Sequence, residues 1–267
     1  VSIVNQSGAG YRNARLKLIA GDVNRARPPR PERELVYRAA MAEDADGFSE
    51  KAFFEYHLYT LQRRTDLPNN STRQIQLLPA ARGIRCEKEL VFAPTLDFVH
   101  AGYQQLDQGY GRYGNADVNV YLRFRNAESE QLGVPLPAGR IRVNQMDPAD
   151  DSLEFIGEDV IDHTARNEDV LIEMGNAFDV VGERIQTEFR VDSRTRNLWE
   201  TFEIRLRNHK DEAVDIAVLE NLYRAANWEI EQASQSYAKQ NSNQVRFDVS
   251  VPSEGEAVVR YTVHYTW

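Results

Sequence analysis

The sequence predicts an all-β protein made of two β-sandwich, immunoglobulin-like domains with mostly antiparallel strands. Three observations carry that prediction. Short runs of alternating apolar and polar residues recur every ~8–12 residues, with turn residues between them. From residue 117 to the end this pattern is almost unbroken. An apolar strand ending in Asn before a polar turn occurs at VSIVNQSG, LRFRNAES and IRLRNHKD. Such an Asn ends a strand by bonding the backbone of its own turn, so the repeat reads as a set of related sandwich units.

Residues 1–4 and 16–20 read as strands joined by the turn-rich NQSGAGYRNA. The stretch VNRARPPRPERE follows, with three prolines. Proline fixes φ and lacks a ladder donor, so an extended, exposed linker is expected. Residues 34–45 have helix-forming composition ended by Gly47 but lack tight capping signals, and read as a short helix or a disordered loop bridging to the next strand. The run FFEYHLYTL, residues 53–61, is the most aromatic in the chain. It predicts a strand occupied on both faces, with Phe54, Tyr56, Leu58 and Thr60 on one side and Phe53, Glu55, His57, Tyr59 and Leu61 on the other. QRRTDLPNNS is a turn cluster, flanked by a further strand in TRQIQLLPA, and GIRCEKELVFAP is the next. The segment GYQQLDQGYGRYG, residues 102–114, has no periodicity and marks a loop between domains.

The second half gives strands at 118–126, 170–173, 177–181, 185–191, 199–208, 213–222, 227–234, 243–252 and 257–267. A hairpin spans 139–159, its DPADDS tip supplying the turn. The expected division is a first domain at 1–114 and a second at 115–267. The first carries the Pro-rich linker and FFEYHLYTL, and the second is one large sandwich or two fused immunoglobulin-like units.

The balance of 42% hydrophobic and 27% charged residues over 267 positions is that of a soluble globular chain with room for two domains. A net charge of −9 argues against a nucleic-acid partner or an anionic membrane surface. No run approaches the ~20 apolar residues of a membrane-spanning helix. The chain opens on VSIVNQSG without Met, so the reading expects a fragment or processed product with part of the first domain upstream. Cys86 is the only cysteine, which leaves no intrachain disulfide. Arg85 and Lys88 are expected to lower its pKa slightly, but no base partner accompanies it, and a half-buried small apolar residue is the favoured reading.

Two groups of residues carry candidate chemistry. Glu55, His57 and Tyr59 share a strand face, with adjacent members about 6.5–7 Å apart. That spacing suits convergence on one ion or ligand, against a plain polar ladder paired with the next strand. The second group is Glu158, Asp159, Asp162, His163, Asn176 and Asp179, whose oxygens and imidazole suit a divalent cation such as Ca²⁺. Its spacing matches neither an EF-hand nor a zinc ligand set, and turn chemistry explains the same residues. Tyr103, Tyr110 and Tyr113 make the 102–114 loop a candidate contact surface. His100, His209 and His264 are scattered, and His264 shares the outer face of the last strand with Thr262 and Thr266. Trp199 and Trp228 read as sandwich core. No G-x-S-x-G elbow or phosphate-binding glycine loop is present. A hydrolase would therefore need a site assembled in space.

The segments NQSGAGYRNARLKLIAGDVN, FFEYHLYTLQRRTDLPNNSTRQIQLL, LGVPLPAGRIRV, FIGEDVIDHTARNEDVLIEMGNAFDVVGER, RLRNHKDEAV, NWEI and YTVHYTW together resemble the bacterial family called DUF4139, in that order and over almost the whole chain. The resemblance implies a secreted or envelope-located, periplasmic or extracellular protein. It also implies an all-β C-terminal region behind a further N-terminal part. The family supplies no catalytic residue set. The reading is a non-catalytic binding or structural module, with no cofactor, whose partner is a protein or glycan of the envelope. A metal-binding module (Ca²⁺ or a transition metal) and a hydrolase are the alternatives.

Overall fold

A computed structural model describes residues 1–21, 48–53, 56–95, 103–111 and 114–267. The segment 34–45 expected as a helix or loop, the whole proline-rich linker, Glu55, His100 and Tyr113 lie outside these residues. The described chain is almost entirely β, with a single turn of 3₁₀ helix at Glu128–Glu130. It divides into two compact units that interleave in sequence. One comprises Val1–Arg85, Arg125–Arg140 and Val160–Val170, and the other Cys86–Phe124, Ile141–Asp159 and Leu171–Trp267. The sequence reading places one cut near residue 114, whereas the chain passes between the units several times.

The first unit holds short strands: β1 (Ser2–Asn5), β2 (Tyr11–Ala14), β3 (Lys17–Ala20), β4 (Phe48–Phe53), β5 (Tyr56–Leu61), β6 (Thr65–Leu67) and β7 (Ser71–Gln74). They pair as β1–β7, β2–β6 and β3–β5–β4. The turn cluster at 62–71 thus contains a strand of its own, β6, and turns at Asn70, which has φ of 54°. Leu58, Tyr59, Leu61 and Ile75 are buried here.

The remaining strands are β8 (Cys86–Phe92), β9 (Asp117–Arg125), β10 (Gly139–Met146), β11 (Leu153–Ile161), β12 (Asp169–Asp192), β13 (Asn197–Asn208), β14 (Val214–Asn221), β15 (Asn227–Ala233), β16 (Ala238–Lys239), β17 (Gln244–Val251) and β18 (Gly255–Thr266). β10 and β11 form a hairpin whose tip is held by Asp147 and Asp150, which accept backbone N–H bonds from Ala149 and Ser152. The other strands build one nine-stranded sheet in the order β15-β18-β13-β12-β9-β8-β14-β17-β16. It is mixed, because β8 and β14 run parallel.

The sheet curls over on itself. The rings of Phe247 in β17 and Tyr261 in β18 sit 5.6 Å apart, although five strands separate them along the sheet. Its two ends meet where Trp228 of β15 donates its indole N–H to Ser242 O and lies under the Lys239 ammonium of β16. The interior is a single apolar core including Phe92, Phe202, Ile204, Ile216, Val218, Val245 and Val259.

Three strands expected between residues 170 and 191 are one, β12, of 24 residues. The breaks read as turns are irregularities within a continuous strand. Gly175 takes φ of 103°, and Thr187 is an extra residue where the β12–β13 register jumps from Gln186/Phe202 to Glu188/Thr201. A bulge of this kind bends a strand without ending it.

The repeated Asn residues are buried stitches. Asn5 accepts the Ser7 N–H and donates to Ala9 O, Leu67 O and Pro68 O. Asn208 does the same, accepting from Lys210 N–H and donating to Glu212 O and Pro252 O. Each closes its own turn and ties it to a distant proline carbonyl. Asn126 donates to Val134 O and Ala165 O.

Candidate functional site

In the first unit, β5 brings His57 and Tyr59 to a cavity of about 180 Å³ that His163, Thr164 and Pro135–Pro137 also line. Two histidines from separate sequence clusters therefore share one space. Tyr59 is buried and donates its hydroxyl to Pro135 O at 2.8 Å. His163 accepts the Ala138 N–H on Nδ1 at 3.1 Å. A neutral imidazole accepting on Nδ1 carries its proton on Nε2, so neither ring nitrogen offers a lone pair to a metal in this arrangement. The Thr164 hydroxyl bonds Asp162 O at 3.0 Å, which leaves it poorly placed as a nucleophile.

Two of the other proposed cation ligands, Glu158 and Asp159, bond to neighbouring strands. Glu158 pairs with Arg142 at 3.1 Å in an exposed contact. Asp159 accepts the Glu173 N–H at 2.8 Å. The Asp179 carbonyl accepts the His209 N–H, and Asn176 is exposed on β12. Cys86 is exposed, and partial burial together with Glu87 pushes its thiol pKa up, not down as the flanking basic residues suggested.

The tyrosine-rich loop is tied to the interior of the second unit. Tyr103 is exposed, while Tyr110 meets Tyr223 edge-on at 5.7 Å. Two buried arginines hold the loop by its carbonyls. Arg224 donates to Gln105 O and Asp107 O, and Arg184 donates to Gly111 O at 3.0 Å. Gly111 is required: its φ is 69°, and a Cβ there would sit 2.2 Å from the Tyr223 ring.

Each arginine is neutralised by a buried carboxylate. Arg184 bonds both oxygens of Glu220 through Nε, at 3.0 and 2.9 Å, and its guanidinium stacks 3.6 Å over Phe202. Arg224 reaches Glu200 at 2.7 Å, and the same Glu200 oxygen accepts from Gln186. Tyr261 donates to Glu220. Burial pushes the Glu220 carboxyl up despite Arg184. Burial, then Glu200, pushes the Tyr223 hydroxyl up to about 12.

The outer face of the same strands carries a groove of about 710 Å³ lined by Thr187, Glu188, Arg190, Trp199, Glu231 and Thr262, among others. Trp199 is not core. Its ring stacks on His264 at 4.6 Å with 2° between planes, and Arg190 covers it at 3.8 Å. Its indole N–H donates to Glu231 at 3.1 Å. His264 faces outward as the alternation of β18 predicts. A second bulge places both Glu231 and Gln232 on this face, where the β15–β18 register jumps from Ile230 to Gln232. Among the described residues, Glu229, Glu231 and His264 bring ligand atoms within 4.8 Å of one another. Sequence reading missed this trio because a bulge breaks the period-2 pattern it relies on.

An inverse anomaly lies on β11 and the first half of β12. Leu153, Phe155, Ile156, Leu171 and Phe178 are exposed, together with Met146 of β10, and Phe178 is 96% accessible. Exposed apolar side chains that gather into a contiguous patch mark interaction surfaces. The available signal was LEFI followed by LIEMGNAFDVV, which holds apolar residues on both strand phases. No helix among the described residues is long and apolar enough to cross a membrane. Comparison with protein-family models, curated proteins and solved structures finds no match for this chain.

Proposed function

We propose that this chain is a non-catalytic binding module of the bacterial envelope or secreted space, a member of the DUF4139 family, that captures a protein partner on the apolar ribbon of β11 and β12. The observation that carries the reading is the exposure of Phe155 and Phe178 together with Leu153, Ile156 and Leu171. Compartment and family rest on the sequence resemblance. An immunoglobulin-like sandwich architecture for the units belongs to the same proposal, and the curled sheet with facing layers favours it for the second unit. A photo-crosslinking residue at position 155 or 178, compared with one at Tyr103, tests the reading in envelope extract. Capture from 155 and 178 is expected. Capture from 103 alone, or from no position, contradicts it.

A second reading, a metal-binding module, is favoured by the hydrogen bonding of His264. Its Nε2 lies 2.7 Å from Asn197 Oδ1, and the Asn197 amide nitrogen is committed to Thr195 O. Nε2 therefore carries a proton, and Nδ1 faces Glu229 and Glu231 at 3.4 and 3.3 Å. A bare Nδ1 lone pair opposite two carboxylates is repulsive, and either a proton on Nδ1 or a metal cation between them removes the repulsion. Two carboxylates and an imidazole suit Zn²⁺ or a related transition metal. Elemental analysis of the purified protein, with Tm measured before and after EDTA, tests this. A stoichiometric metal lost in Glu229→Gln/Glu231→Gln supports the site, and a metal-free protein with an unchanged melt removes it.

A further inference from the structure

We propose that the curled sheet holds ordered water between its two buried Arg–Glu pairs, and that this internal hydration site joins them into one network under the 103–111 loop. Five buried polar atoms in this region have no hydrogen-bond partner among the described residues: Arg184 Nη2, Gln186 Oε1, Glu200 Oε2, Arg224 Nε and the Tyr265 hydroxyl. They belong together. Gln186, Glu200 and Arg224 form one bonded triad through Glu200 Oε1. Glu200 and Tyr265 are inward residues of adjacent strands, since Tyr265 pairs with Leu198 two positions from Glu200. Arg184 and Gln186 alternate onto the same inner face of β12, opposite Ile204 and Phe202.

The set contains two N–H donors, two carbonyl-type acceptors and one hydroxyl able to do either. Two arginines and two glutamates cancel in charge, so the site has no reason to take an ion. A small neutral molecule that both donates and accepts is the complement, and water is the smallest. Buried waters typically make about three bonds to otherwise unsatisfied groups, at roughly one per 27 residues. Arg184, Glu200, Arg224 and Tyr265 are each at most 2% exposed, so such water would be sealed from bulk solvent by the loop carbonyls that the arginines hold.

Two measurements test the inference. A crystal structure at about 1.5 Å or better is expected to show water within hydrogen-bond distance of Tyr265 Oη and Glu200 Oε2. Direct pairing of these side chains with each other, or density for a larger molecule, would overturn it. The second measurement is the melt of Tyr265→Phe. A hydroxyl left dry and unpartnered destabilises the fold, so its removal would raise Tm or leave it unchanged. A hydroxyl bonded to internal water supports the network, and Tyr265→Phe is then expected to lower Tm by about 2–4 °C. An unchanged or raised Tm would contradict the proposal.

Discussion

The interior of the large sheet and the ribbon of β11 and β12 break the ordinary rule of burial in opposite directions. One encloses two arginines and two glutamates; the other leaves phenylalanines in water. A buried charge is tolerable only when it is paired and hydrogen-bonded, and every guanidinium here has a carboxylate and a loop carbonyl. The charges of the interior are thus paired within the chain. Nothing among the described residues covers Phe178, and the proposed reading assigns that exposed surface to a partner. The difference separates side chains whose contacts lie within the chain from side chains left exposed.

The interior should break hardest. Glu200→Ala leaves Arg224 buried without its carboxylate, and is expected to cost about 3–5 kcal/mol, or roughly 6–20 °C in Tm. Glu200→Leu/Arg224→Met should recover much of that loss, because removing both charges removes the unpaired one. If the single and double variants melt alike in thermal denaturation, the pairing account is wrong. Asn208→Ala comes next. It strips a buried turn of bonds to Glu212 O, Pro252 O and the Lys210 N–H, and about 1–3 kcal/mol should be lost in a urea titration.

A smaller effect is set by pH. Burial pushes the Glu89 carboxyl up, but bonds to Arg123 and Arg246 outweigh it and hold the pKa below the ordinary 4.5. A carboxyl lowered on folding contributes stability above its unfolded pKa and loses it as pH falls through the folded one. Tm should therefore drop as pH is taken below about 4.5, and Glu89→Gln should flatten that drop. An identical slope in the variant would remove Glu89 from the account.

Parts of both regions are readable in the sequence. Leu198, Glu200, Phe202, Ile204 and Leu206 alternate, and that period alone puts a carboxylate on an apolar face. Its partner Arg224 lies 24 residues away, and Glu220 sits 36 from Arg184, so the pairing depends on how the sheet curls. Asn5 and Asn208 are legible as turn residues because the chemistry is local. Phe189 is not legible as an inward residue, because the extra Thr187 shifts the phase of β12. Trp199 reads as core from its size alone, while its strand phase places it outside with His264. Local chemistry survives translation from sequence; phase across a bulge does not.

The smallest expected effect on stability falls on the ribbon. Phe155→Ser/Phe178→Ser should leave Tm nearly unchanged, within about 0.5 kcal/mol, as for other exposed substitutions. The direct test of the binding claim is calorimetric titration of the cross-linked partner, once identified, against wild type and this double variant at several temperatures. Burial of apolar surface gives a negative heat-capacity change on binding. The account predicts a clearly negative value for wild type and loss of binding in the variant. Equal affinity with a heat-capacity change near zero would contradict it.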